Sequence, residues 1–289
     1  MQYSQYTCIH QFYTATYDVI MGDEAQTILP LGIIAIGKEE ADKTGGHSQA
    51  DWFMATVMGS SGICLTAVMT PPKNLSLYAT GSQNNPEAIV CLIEGMALSG
   101  ISPPGLMAEK QLTEMFAAQY TQIHNMRAIT TMKQRIYELT KVNPAIPKAN
   151  IRLARESDMS FLPYWDGAYF KEAINRPTII GDDPEIYRDI IRTNSVYIME
   201  DNGVPVTMAR ISRELKNVCY ISYVFTPSYF RRKGYATACS AALCQIGLDR
   251  SFAKVVLFTD LANAASNSIY QKIGFYPICE SLQVAFEPK

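Results

Sequence analysis

Apolar and polar positions show no steady period over the first fifty residues, which predict helical and irregular structure with an exposed loop at the polar run Lys38 to Lys43 and Gly45-Gly46. From Trp52 the period shortens to that of strands. Trp52 to Met58, a turn at Gly59-Ser60-Ser61-Gly62, and Ile63 to Thr70, stopped by Pro71-Pro72, predict a β-hairpin. A third strand is expected at Leu75 to Thr80, and a helix at Pro86 to Ala97 with proline in its first turn. A turn at Pro103-Pro104-Gly105 leads to a further helix at Ala108 to Gln119, and Met126 to Leu139 reads as a strand.

The stretch 142–149 carries Pro144 and Pro147, which disfavour helix, and it marks a linker between domains at 1–141 and 150–289. The second block then repeats the succession more clearly. Ile151 to Arg155 predicts a strand; Ser157 caps a helical region running to about Ile174, interrupted near Pro163; Asp182 to Arg192 predicts a second helix. Ser195 to Glu200 and Val204 to Arg213, joined by Asn202-Gly203, form a hairpin with a type I′ signal. Ile221 to Thr226 is a strand stopped by Pro227, Gly234 to Leu248 a helix, Lys254 to Thr259 a strand and Asn263 to Ile273 a helix, with a closing strand pair from Phe275 to Phe286.

Composition narrows the classes. With 289 residues, 48% apolar and 18% charged, the chain is globular and long for one core, and its net charge of −2 gives no reason to expect a nucleic-acid or membrane partner. The odd count of seven cysteines, set in apolar runs without a C-x-x-C pair, reads as reduced packing residues. No basic n-region with an apolar h-region opens the chain, so a cytoplasmic location is the expectation. His10, His47 and His124 lack metal-ligand spacing, so no metal site is expected. Gly32 to Glu39 mimics a phosphate-binding Walker loop but has glutamate where Ser or Thr would hold magnesium, and no strand precedes it.

The strand–loop–helix around Arg231-Arg232-Lys233-Gly234-Tyr235-Ala236 carries the chemistry. Three consecutive cations oppose the positive end of a helix dipole, and a first-turn glycine costs backbone entropy, so helix stability does not account for them. A helix N-terminus with free N–H groups, a glycine that admits close approach and flanking cations together make a diphosphate site.

Arg231-x-x-Gly234-x-Ala236 resembles the Arg/Gln-x-x-Gly-x-Gly/Ala signature of the GNAT superfamily of acetyl-CoA-dependent N-acetyltransferases. Asn263-Ala-Ala-Ser266-Asn267-Ser-Ile-Tyr270, followed by Gly274-Phe275, is similar to that family's second motif. The resemblance implies an α/β (α+β) fold whose mixed, mostly antiparallel sheet is flanked by helices. The first block lacks a basic phosphate loop at Gly81 to Pro86, so on element order it resembles a degenerate copy, giving two GNAT-like domains of which only the second is active.

What the resemblance implies for residues follows. The backbone of Val224, Phe225 and Thr226 would pair with the pantetheine amides of acetyl-CoA, the co-substrate; N–H groups of Arg232, Lys233, Gly234, Tyr235, Ala236 and Thr237 would hold the pyrophosphate, with Arg231, Arg232 and Lys233 adding charge. Asn263 and Asn267 would orient the CoA arm, though helix capping suits Asn263 equally. Tyr270 would protonate or hydrogen-bond to the leaving sulfur. An amine of pKa near 10.4 is neutral in about one molecule in 2,500 at pH 7, a penalty of roughly 4.6 kcal/mol, so a base must act. The family often places a glutamate on the fourth strand; here that strand offers Tyr220, Ser222 and Tyr223, leaving relayed water, Glu200 or Asp260. Aromatic residues from Phe161 to Phe170 shape either an acceptor pocket or core.

The reading that results is transfer of acetyl to a primary amine of a small molecule or protein. A non-catalytic acyl-CoA sensor is the alternative that the missing carboxylate allows. A nucleotide-binding oxidoreductase is disfavoured, because the loop has no third glycine and no acidic ribose ligand follows.

Overall fold

The computed structural model describes residues 1–45, 51–81, 85–174 and 184–289. The first half runs β1 (Gln2–Tyr6), α1 (Ile9–Met21), α2 (Ile28–Thr44), β2 (Phe53–Gly59), β3 (Gly62–Met69), β4 (Leu75–Ala79), α3 (Pro86–Leu98), β5 (Gly105–Glu109), α4 (Lys110–His124) and β6 (Met126–Leu139). The second runs β7 (Ile151–Leu153), α5 (Leu162–Ile174), α6 (Pro184–Arg192), β8 (Val196–Asp201), β9 (Val204–Glu214), β10 (Val218–Phe225), α7 (Tyr235–Asp249), β11 (Lys254–Asp260), α8 (Ala264–Ile273) and β12 (Tyr276–Pro288), with short 3-10 turns at Glu156–Ser160 and Ser228–Phe230. Helices and strands succeed one another in the same order in both halves. The one parallel pair that leads out of each central hairpin also recurs, β4 with β5 and β10 with β11.

Contacts divide the chain into two compact units, 1–136 with 259–262 and 278–289, and 137–258 with 263–277. In the first unit, strands follow the order β1-β2-β3-β4-β5-β12 and, apart from β4 with β5, the registered pairs are antiparallel. Leu65, Leu75, Ile89, Leu92, Leu106 and Phe116 form its core. In the second, the order is β11-β10-β9-β8-β7, again antiparallel except for β10 with β11. One face of this sheet buries Ile211, Cys219 and Ile221 against Leu243 and Cys244 of α7. The other packs Val196, Ile198, Met208 and Phe225 against Leu162 and Trp165 of α5.

Local signals hold well where they are strong. The Asn202-Gly203 turn has φ of 50° and 78°, the left-handed pair that a type I′ hairpin requires. Asn85 caps α3 by accepting from the N–H groups of Glu87 and Ala88, one residue before Pro86. Beyond these the structure differs from the sequence expectations in five places. Gln2–Tyr6 is a strand paired to β2 rather than irregular chain. The polar run Lys38 to Lys43 is the end of α2, its charges matched as Lys38–Asp42 and Lys43–Glu39 pairs one turn apart. Gly32 to Glu39 in the same helix agrees with the expectation that this stretch is no Walker loop.

Gly105–Glu109 is a strand, although Leu, Met, Ala and Glu favour helix, because β4 and β12 claim its two edges. The closing strand pair is one long strand, β12, whose residues 278–289 fall in the first unit. The contact division therefore departs from the expected boundary at 142–149: Leu282, Val284 and Phe286 fill the first unit's core. Gly46, His47, Ser82 to Asn84 and Asp182 lie outside the described residues. All seven cysteines are free thiols, with Cys219, Cys239 and Cys244 buried. Among the described residues no cluster of His, Cys, Asp and Glu is suited to a metal ion, and no helix is long and apolar enough to cross a membrane.

The β5–β12 register makes a direct prediction. A Cβ on Gly105 would stand 2.2 Å from the Val284 carbonyl oxygen, backbone that cannot swing aside. Gly105→Ala is expected to destabilise the first unit by about 1–3 kcal/mol, the usual cost of overpacking. Thermal unfolding of the variant checks this, and an unchanged transition would refute the pairing of the last strand with β5.

Candidate active site

The site begins with a defect in strand pairing. β10 pairs in parallel with β11 only at Val218, Cys219 and Tyr220, opposite Lys254, Val255 and Val256. On its other edge the register with β9 slips between Ser222 and Phe225, where three steps on β10 match two on β9. Tyr223, within that bulge, has φ of 64°. Beyond Tyr220 the two parallel strands are no longer in register, so the β10 edge from Val224 to Thr226 is left to line a cleft of about 610 Å³. Backbone N–H and C=O groups on such an edge can pair with an extended ligand as a strand would. Thr207 supports the edge, its hydroxyl donating to the Phe225 carbonyl at 2.8 Å and accepting from the Thr226 hydroxyl.

The basic loop closes one end of this cleft. Arg232 and Gly234 both have left-handed backbone, φ 62° and 84°, and Gly234 is the N-cap of α7. Alternate left-handed residues before a helix turn successive N–H groups to one side, and those of Tyr235, Ala236 and Thr237 are first-turn donors without intrahelical acceptors. Arg231, Arg232, Gly234, Tyr235, Ala236 and Thr237 all line the cleft.

The side chains divide into two groups. The Arg231 guanidinium bends back: Nε donates to the Thr226 carbonyl at 2.8 Å and Nη2 pairs with Glu172 of α5 at 2.5 Å, so it fastens the loop rather than standing free. Lys233 is outside the lining, with Nζ 5.9 Å from the Phe230 ring. The Tyr235 hydroxyl donates to Asp201 at the hairpin tip.

The opposite wall comes from α8. Tyr270 is buried, lines the cleft and meets Phe275 edge-on at 5.8 Å. Burial chiefly, then the nearby Tyr169 and Tyr220 phenols and the Cys244 thiol, push its hydroxyl well above the ordinary tyrosine range. Burial likewise pushes Tyr169 and Tyr220 up to about 12. Three phenols that stay protonated at neutral pH therefore gather behind the bulge.

Asn263 lines the cleft, but its side-chain oxygen caps α8 by accepting from the Ser266 N–H at 3.0 Å. Asn267 is outside the lining. Its amide donates to the Asn263 carbonyl and its oxygen accepts from the Tyr137 hydroxyl at 3.0 Å, so it secures the helix start.

Two carboxylates considered as bases are engaged elsewhere. Glu200 accepts from Arg152 Nε at 2.8 Å, and Asp260 accepts from the Ala262 N–H at 2.8 Å among residues of the first unit. The one carboxylate among the described lining residues is Glu172, already paired with Arg231. Of the aromatic run from Phe161 to Phe170, which the sequence leaves open between pocket and core, Tyr169 of α5 lines the cleft; sequence reasoning missed Glu172, whose spacing of three from Tyr169 puts both on one helical face.

Residues 161–275 match the model of the Acetyltransferase (GNAT) family. Solved structures extend the likeness in fold to the whole chain. An acetyltransferase of the GNAT family from Colwellia psychrerythraea superposes with a TM-score of 0.61 at 10% identity over 100% of both chains. A GCN5-related N-acetyltransferase from Sphaerobacter thermophilus gives 0.61 at 13% identity, over 98% of this chain and 94% of the other. No curated protein matches the chain.

Proposed function

We propose, from the match of residues 161–275 to the GNAT family model, that the protein moves acetyl from acetyl-CoA to a primary amine in the cleft between β10, α7 and α8. The unpaired, bulged edge of β10 running into a helix N-terminus carries this reading. It offers strand-like hydrogen bonding for an amide-containing arm and adjoining N–H donors for a diphosphate, which together match the polar groups of acetyl-CoA. Acetyl-CoA supplies an activated thioester.

The chain's own residues then have distinct tasks. N–H groups at Gly234 to Thr237 bind the diphosphate, with Arg232 adding charge from the lining, while Arg231 holds the loop to the strand end. The Val224 to Thr226 edge aligns the arm so that the sulfur lies toward Tyr270, whose protonated hydroxyl donates to the sulfur as negative charge develops. The amine must arrive neutral, and with no free carboxylate among the described lining residues its proton leaves through water.

Calorimetric titration with acetyl-CoA is expected to give one site per chain, and amine-dependent release of free thiol should follow when acceptors are added. Binding without release for any amine would favour the acyl-CoA sensor; absence of binding would remove the reading.

A further inference from the structure

We propose that the acceptor is an amine carrying an anionic group, a carboxylate or a phosphate, held by Arg210 and Arg213 on the sheet face covered by α5 and α6. This rests on the acetyltransferase reading and narrows its substrate class. The first observation is geometric. Residues three apart on a regular strand point to opposite faces. On β9 they do not, because the register with β10 slips at Ser212: Arg213 stands opposite Tyr220 and Arg210 opposite Ser222, with Ile211 opposite Ile221 between them. Ile211 and Ile221 face α7, so both arginines face the other way, beside Val196, which packs with α5. The strand is bulged so that two guanidiniums share one inner face.

The second observation is charge. Arg210 donates from Nε to the Ser195 hydroxyl at 2.9 Å, a neutral partner. Arg213 lies over the Tyr220 ring at 5.3 Å, and its buried Nε has no acceptor among the described residues. Asp166 of α5 is the carboxylate that bears on Arg210; it is itself half-buried and accepts from the Tyr187 hydroxyl at 3.4 Å. Burial first, then repulsion by Arg213, pulls the Arg210 guanidinium down from its ordinary range, and Asp166 only partly offsets this. Two partly desolvated cations answered by one carboxylate among the described residues leave a positive excess there, which costs stability until an anion arrives.

The third observation is position. Arg210 is paired across the ladder with Ser222, the residue just before the bulge at Tyr223, and Tyr169 joins the two places, packing on Tyr223 at 4.5 Å while lining the cleft. An anion on the arginines would therefore set its amine toward the bulge. Arg210, Arg213, Tyr220 and Ser222 are all half-buried rather than fully buried.

The test uses the full chain, acetyl-CoA and matched acceptor pairs: amino acids against their carboxamides, and aminoalkyl phosphates against the corresponding amino alcohols. The anionic member of one pair is expected to be acetylated with kcat/KM about 10- to 100-fold above its neutral partner, the usual range for a charge-assisted contact, and the pair that shows it identifies carboxylate or phosphate. Arg213→Met should abolish that preference without changing acetyl-CoA affinity, and Arg213→Lys, which keeps the charge, should retain part of it. Equal rates for both members of every pair, or a preference untouched in Arg213→Met, would overturn the anion site while leaving the enzyme reading standing. Absence of acetyl-CoA-dependent turnover with any amine would instead overturn that reading, and this inference with it.

Discussion

Gly234→Glu is expected to abolish measurable acetyl-CoA binding, by more than 100-fold in Kd, while the second unit stays folded. Gly234 holds φ at 84°, and a Cβ there would meet nothing within 4 Å, so the substitution is strained but not obstructed. Left-handed backbone at a non-glycine residue costs about 1–2 kcal/mol, which a unit cored by α7 against β9, β10 and β11 can absorb. The added carboxylate suits a helix N-terminus. It would occupy the N–H groups that a diphosphate needs, and two like charges about 4 Å apart at a surface-like dielectric repel by about 4 kcal/mol, on the order of a thousandfold in affinity.

Gly234→Ala separates the two effects, since it carries the strain without the charge and should bind within about tenfold of the parent. Calorimetry beside a thermal melt reads both variants. A glutamate variant that binds like the parent would mean that the loop is not the diphosphate site.

That loop was legible because its information is local: a strand stopped by Pro227, a glycine at fixed spacing and a helix all lie within a few residues. The same holds for the Asn202-Gly203 hairpin and for Asn263, whose capping oxygen reaches only three residues along the chain. What the sequence hid is nonlocal. The sequence puts Gly105 in a turn and starts a helix at Ala108, whereas Gly105–Glu109 is a strand because β4 and β12, the latter from the far end of the chain, provide its ladder. Which unit the end of β12 falls in cannot be read from Pro144 and Pro147, because it depends on pairing with β5, far away in sequence.

The site shows the same division. Of the residues named from the sequence along 224–237, all but Lys233 line the cleft. Arg231 was expected to face the ligand, yet its partner Glu172 is 59 residues away in sequence and turns it into a fastener. Asn267 was expected in the cleft, and Tyr137 on a distant strand draws it off. The register slip that puts Arg210 and Arg213 on one face leaves no mark in the sequence, since a bulge is a relation between two strands.

Tyr270→Phe should lower kcat by about 100- to 1,000-fold, the scale of losing one positioned donor to a developing charge, with acetyl-CoA Kd unchanged within about twofold. The phenol lines the cleft from a buried position, so deleting one oxygen leaves the ring packed against Phe275 and the fold intact. Its state at working pH is settled by burial: the hydroxyl is raised well above 10, so it remains a donor through neutral and mildly alkaline pH. The sign matters for mechanism. A phenol above 10 is a weaker acid than an ordinary thiol near 8.5, so complete proton transfer to a free thiolate is uphill by more than about 2 kcal/mol.

Tyr270 is therefore expected to act through a strengthening hydrogen bond as the carbon–sulfur bond breaks, with the proton following only as charge accumulates on sulfur. It follows that kcat should show no loss assignable to Tyr270 as pH rises from 7 to about 10, and that the parent-to-variant ratio should stay constant across that range. Steady-state rates against pH for both proteins, with Kd by calorimetry, read this directly. An unchanged kcat in the variant would remove Tyr270 from the chemistry. A parallel loss of affinity and melting temperature would assign it to packing, and a ratio that collapses below pH 9 would mean that the phenol ionises far more easily than its burial allows.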